Sequence, residues 1–233
     1  MGLADIKAVT FDYFGTLVDV EHGASIGMTR VLDAVGRPDC DPRTTYLRWD
    51  ELNVQRYRVG PYRRYRDVAA DAMAACLAPL LDTPLSRDRS VELAALFLEA
   101  LADLSPPQPE VPAVLDALRR QGLALMPITN MDSDLWRRTA LVEYFPDVTT
   151  AEMAQAYKPS ERIFHLGLER LGLPLSSVLH VAISPWADIE GAKAIGLRVA
   201  WINRDHEQLG PWTPRPDYEF TDLQGVQTLL AAK

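Results

Sequence analysis

The sequence predicts an α/β protein: a three-layer core with a parallel sheet, interrupted after its first strand by an all-helical insertion. Three observations carry this. From residue 111 onward, short β-branched apolar runs alternate with amphipathic stretches, the pattern of right-handed βαβ units. One more run of the strand type stands alone near the N-terminus, at residues 6–11. Between the two, residues 44–101 carry apolar residues at helical spacing and no convincing strand.

The first strand, Ile6-Lys7-Ala8-Val9-Thr10-Phe11, runs directly into Asp12-Tyr13-Phe14-Gly15-Thr16-Leu17, which reads as a tight loop. A helix is expected over residues 25–35, before the break at Pro38 and Pro42. Helices then follow to residue 101, interrupted by Gly60-Pro61. Ser105-Pro106-Pro107-Gln108-Pro109 is an extended, stiff hinge, because proline fixes φ and disfavours helix in the residue before it. Beyond it, helices are expected at 111–121, 135–142, 161–171, 188–194 and 226–232. Strands are expected at 123–128, 178–183, 198–202 and briefly at 220–221. The domain reading is therefore a core of residues 1–18 and 105–233, with a helical cap at 19–104 inserted over the carboxyl ends of the strands.

Composition limits the function. With 24 Lys and Arg against 32 Asp and Glu, the net charge of the 233-residue chain is −8. That argues against a nucleic-acid partner, which needs a basic face. A small anionic substrate is still allowed, since a few local cations can dominate a pocket. No stretch approaches the ~20 apolar residues of a membrane span, and residues 1–7 do not read as a secretory leader. Cys40 and Cys76 have no close spacing and read as free thiols. A cytoplasmic protein is expected, monomeric or homodimeric, with no membrane partner.

Polar residues gather where strands end. Asp12 and Thr16 follow the first strand, Thr129 and Asn130 the second, and Ser184 and Asp188 the third, while Lys158-Pro159 precedes a helix. In a parallel sheet these converge on one edge, where such sheets bind ligands. A carboxylate, an ammonium and several hydroxyl or amide donors suit an aspartyl nucleophile in a charge-matched pocket. Each also fits an ordinary role. Asp12 could cap a turn, Thr129-Asn130 or Asp188 a helix, and Lys158 could be a solvated surface lysine.

Over about residues 7–204 the sequence resembles the haloacid dehalogenase superfamily. The resemblance lies in four motifs in order: Phe11-Asp12-Tyr13-Phe14-Gly15-Thr16-Leu17; Ile128-Thr129-Asn130; Lys158-Pro159-Ser160-Glu161; and the segment from His180 through Asp188 to Gly191-Ala192. It implies a Rossmann-like core with a helical cap. It implies Asp12 as a nucleophile that forms a covalent ester, with Thr16 orienting the nucleophile loop. Thr129 and Lys158 are then expected to hold the anionic substrate and the Asp12 carboxylate.

Magnesium phosphatases of this superfamily carry a second Asp two residues after the nucleophile and acidic ligands in the fourth motif. Here those places hold Phe14 and Ile183. The pattern resembles the L-2-haloacid dehalogenase branch, which has an aromatic at the first place and uses no metal. On that reading no cofactor is expected, Phe14, Asn130 and Ser184 join the substrate site, and Arg48 of the cap assists the halide. Arg43, Arg63, Arg64 and Arg66 are rivals for that role. Pro185 stands where dehalogenases place an Asn. Two alternatives stay open: a phosphatase holding Mg²⁺ weakly through Asp12 and Asp188, and a non-catalytic binding protein on the same fold.

Overall fold

The computed structural model describes residues 5–231. In chain order the elements are β1 (Ala8–Phe11), α1 (Val20–Ala34), α2 (Pro42–Tyr57), α3 (Tyr65–Leu77), α4 (Arg87–Leu104), α5 (Val111–Arg120), β2 (Ala124–Thr129), β3 (Thr149–Thr150), α6 (Ala151–Ala154), α7 (Glu161–Leu171), β4 (Val178–Ala182), α8 (Glu190–Ala194), β5 (Arg198–Ile202), β6 (Tyr218–Phe220) and α9 (Leu223–Ala231). They form two compact units. One comprises Met1–Val18, Pro107–Asn130 and Leu141–Lys233; the other comprises Asp19–Pro106 and Met131–Ala140.

The first unit is the α/β core. Its sheet has the order β3-β2-β1-β4-β5-β6, and every pair is parallel. β1 therefore lies centrally, with Phe11 in register with Pro127 on one side and Val181 on the other. All four of its residues are buried. That burial on both faces explains why the strand reads as a continuous apolar run rather than an alternating one. The order reverses between β2 and β4 around β1, so the switch point of the sheet lies at the carboxyl end of β1.

The second unit is helical. Its core centres on Trp49, whose ring lies 4.5 Å from that of Phe97 and whose Nε1 donates to the Ala69 carbonyl at 3.2 Å. Segment Met131–Ala140 belongs here by contact, although the sequence reading placed it in residues 105–233. The reason is Asp132. It is fully buried and accepts from the backbone N–H groups of Tyr65 (3.0 Å) and Arg66 (3.1 Å). These are first-turn donors of α3, whose own N-cap residue Arg64 provides no side-chain cap.

Several expected elements need correction. The helix expected at 135–142 is instead two short 3₁₀ turns, Trp136–Arg138 and Val142–Tyr144. The helix expected at 25–35 begins earlier, because Asp19 accepts from the His22 N–H and caps α1. β3 and α6 were not foreseen, being too short to show a period. The last helix starts at Leu223, and the Ala232 of its expected range lies outside the described residues.

One close approach ties two site-bearing segments together. A Cβ added to Gly191 in α8 would sit 2.4 Å from Phe164 Cε2 and 2.5 Å from the Pro159 carbonyl oxygen. Gly191→Ala is therefore expected to destabilise the protein by about 1–3 kcal/mol through overpacking. Urea unfolding checks this: the midpoint should fall with little change in m.

Candidate active site

Asp12 leaves β1 still hydrogen-bonded to the sheet, its N–H donating to the Val181 carbonyl at 3.0 Å. The chain then turns at once. Gly15 has φ of +89°, which L side chains rarely adopt, and Leu17 N–H closes the turn on the Tyr13 carbonyl at 2.8 Å. This turn brings Thr16 back over Asp12, where its Oγ1 donates to Asp12 Oδ2 at 2.7 Å. The same Oγ1 accepts from the Ile183 N–H at 3.1 Å. One hydroxyl thus joins the loops after β1 and β4. The Trp201 indole donates to the Ile183 carbonyl at 2.9 Å and steadies the second loop.

Lys158 arrives on the segment before α7. Its backbone N–H donates to Asn130 Oδ1 at 2.8 Å, which fixes it beside the end of β2. Its ammonium reaches Asp12 Oδ1 and Asp188 Oδ1, both at 2.7 Å. Lys158 is only 2% exposed and Asp188 fully buried, so water does little to screen these pairs.

Asp188 does not cap a helix. A π-helical turn spans Pro185–Ile189, its N-cap is Ser184, and Asp188 lies inside it. Ser184 Oγ accepts from the Ala187 N–H at 3.2 Å and so caps the turn, a bond that leaves the hydroxyl proton of this expected substrate ligand able to donate. The extra residue of a π turn re-aims a side chain, a device common at functional sites.

The charges order themselves. Burial pushes the Asp12 carboxyl above its ordinary range, the Lys158 ammonium opposes this, and the Asp188 carboxylate adds to it. For Asp188 burial acts the same way, but Lys158 and His180 outweigh it and hold the carboxyl below its ordinary value. Burial alone would depress Lys158; the two carboxylates reverse that and hold it above the usual lysine range.

The structure thus brings together Asp12, Thr16, Lys158 and Asp188, with Asn130 behind Lys158. Thr129 is the buried last residue of β2. Phe14 is half-buried, its ring 5.2 Å from that of Tyr13. Arg48 belongs to the helical unit, where its exposed side chain pairs with Glu51 on the same helix at 2.7 Å. Its rivals Arg43, Arg63 and Arg66 pair with Glu21, Asp71 and Asp132 respectively.

Sequence reasoning assigned no role to His180. It is fully buried, with Nε2 2.9 Å from Asp188 Oδ1 and Nδ1 2.9 Å from Thr10 Oγ1. The available signal was a pair of polar residues inside two apolar runs, which the parallel register places side by side.

A magnesium ion would take its ligands from Asp12 and Asp188. The donor set does not fit it. Mg²⁺ wants octahedral oxygen ligation, both carboxylates already share one ammonium, and Phe14 and Ile183 bring no oxygen side chain. Among the described residues, no group of three or more His, Cys, Asp or Glu could hold a metal.

A parallel 3-2-1-4-5-6 sheet with a buried aspartate at the end of its central strand defines a Rossmann-like α/β protein. The chain belongs to the haloacid dehalogenase-like hydrolases, whose family model matches residues 6–196. It is 28% identical over 237 residues to haloacetate dehalogenase H-2 of Moraxella sp. (strain B), covering 97% of this chain and 98% of that one. It is 29% identical over 240 residues to (S)-2-haloacid dehalogenase of Pseudomonas sp. (strain YL), covering 97% and 94%. Its fold matches that of L-2-haloacid dehalogenase from Xanthobacter autotrophicus with a TM-score of 0.79 at 22% identity, covering 97% and 98%.

Lys158→Met removes the cation between two buried carboxylates. It is expected to cost about 3–5 kcal/mol near neutral pH. Both carboxyl pKa values then rise above their unfolded values, so the variant regains stability as pH falls and loses it as pH rises. Thermal melts from acid to neutral pH check the sign.

Proposed function

We propose that this protein hydrolyses 2-haloacids without a metal, through a covalent ester on Asp12. The observation that carries the reading is the Lys158 ammonium shared at 2.7 Å between Asp12 and Asp188. It supplies the positive charge that this chemistry needs next to the nucleophile. Phe14 favours carbon–halogen over phosphoryl chemistry, because it has no proton to give a leaving group, and halide needs none. The names of the two relatives, a haloacetate and a 2-haloacid dehalogenase, support the same substrate class.

In this mechanism Asp12 attacks the α-carbon, the carbon–halogen bond breaks, and halide leaves with its electron pair. Thr16 holds the Oδ2 end of the nucleophile and Lys158 the Oδ1 end, which limits the carboxylate's rotation. Lys158 also offers positive charge to the substrate carboxylate. Thr129 and Asn130 contribute hydrogen bonds there. Water then opens the ester and releases the 2-hydroxy acid.

Halide release from a panel of 2-haloacids tests the reading, with phosphate release from phosphomonoesters, with and without Mg²⁺, as the comparison. Halide release independent of added metal is expected. Phosphate release dependent on Mg²⁺, or neither product, would overturn it. Asp12→Asn should lower halide release by about 10³-fold or more.

The pH profile is a separate test. Asp12 must be ionised to attack, and burial holds its carboxyl high. The acid limb of kcat/KM should therefore lie at higher pH than an exposed aspartate would give. Lys158 is held above its ordinary range, so its deprotonation should cause no fall in activity below that range.

A further inference from the structure

We infer that His180 is a positioning residue for Asp188 in the ester-opening half of the reaction, a role that rests on the reading above. The side-chain donors that reach the Asp188 carboxylate come from outside the loop that carries it, from Lys158 and His180. The carboxylate is fully buried, and a buried carboxylate needs more than one donor.

The second donor comes from the sheet below. His180 Nε2 lies 2.9 Å from the same Oδ1 that receives Lys158. An ionised carboxylate can only accept, so Nε2 carries the proton. The ring is held on its other side by Thr10 Oγ1 at Nδ1, and Phe164 packs edge-on against it at 5.4 Å, nearly perpendicular. Both donors thus converge on Oδ1. Oδ2 is buried and has no hydrogen-bond partner. A carboxylate pinned by one oxygen presents the other as a fixed acceptor.

His180 thereby dedicates Oδ2 to the attacking water. As water adds to Cγ of the Asp12 ester, one of its protons passes to Asp188 Oδ2. The bond from Cγ to the alkyl oxygen then breaks, and the alkyl oxygen leaves with the second proton. Asp12 is returned as a carboxylate, and Asp188 gives its proton to solvent.

The experiment uses the full chain with 2-chloropropanoate and compares His180→Leu with His180→Gln, whose amide can restore a donor near the Nε2 position. For His180→Leu, steady-state kcat should fall about tenfold or more. A burst of one halide per enzyme and an Asp12 adduct visible by mass should accompany it. His180→Gln should recover part of kcat and clear the adduct. Wild-type kcat in His180→Leu, or a slow His180→Gln that accumulates no adduct, overturns the proposal. If His180→Leu does not fold, ¹⁵N NMR of the wild-type imidazole decides: a proton on Nε2 supports the role, and a bare Nε2 overturns it. The NMR result does not depend on turnover. If the wild type releases no halide, the dehalogenase reading fails and the His180–Asp188 bond is still judged by its own measurement.

Discussion

The site depends on one buried ammonium. Lys158 sits 2.7 Å from each of two carboxylates that would otherwise repel one another in a medium that stabilises neither. Removing such a cation costs far more than the pair contributes over an apolar replacement, because bare charges are left behind. The arrangement is therefore better understood as a device for holding charge in place than as a source of stability. It keeps Asp188 ionised and Asp12 raised but oriented, with the lysine charged throughout.

Each participant comes from a different part of the chain. β1 delivers Asp12, the segment before α7 delivers Lys158, and the π turn after β4 delivers Asp188. Three small features hold these segments in step. Thr16 bonds both Asp12 and the Ile183 backbone, Asn130 holds the Lys158 backbone, and Gly191 lets α8 press against Pro159. None of them needs to touch substrate to matter, since a misplacement of about 1 Å in a reacting group is already costly.

Two apolar residues bear on the proposed chemistry by omission. Phe14 stands where a proton donor would serve a poor leaving group, and Ile183 where a carboxylate would hold a metal. What remains is a buried carboxylate with a fixed cation beside it. The proposed displacement at carbon asks for no more than that when the leaving group is already stable as an anion.

The alternation of strands and helices, the helical insertion and the residues Asp12, Thr16, Lys158 and Asp188 were legible in the chain itself. They depend on local period and on motif order, and both survive without knowledge of packing. The sequence could not show that Ser184 rather than Asp188 caps the turn after β4, because both residue types cap equally well and only the backbone path distinguishes them. It could not place Met131–Ala140, whose attachment rests on one buried carboxylate reaching amides 66 and 67 residues away. Nor could it assign His180, which looks like an ordinary strand residue until parallel register sets it beside Thr10 and the fold brings Asp188 to its other nitrogen. Composition and period act over a few neighbours, so the sequence by itself determined the kind of fold and the candidate charges. Which charges meet, and through which atoms, was decided by long-range packing alone.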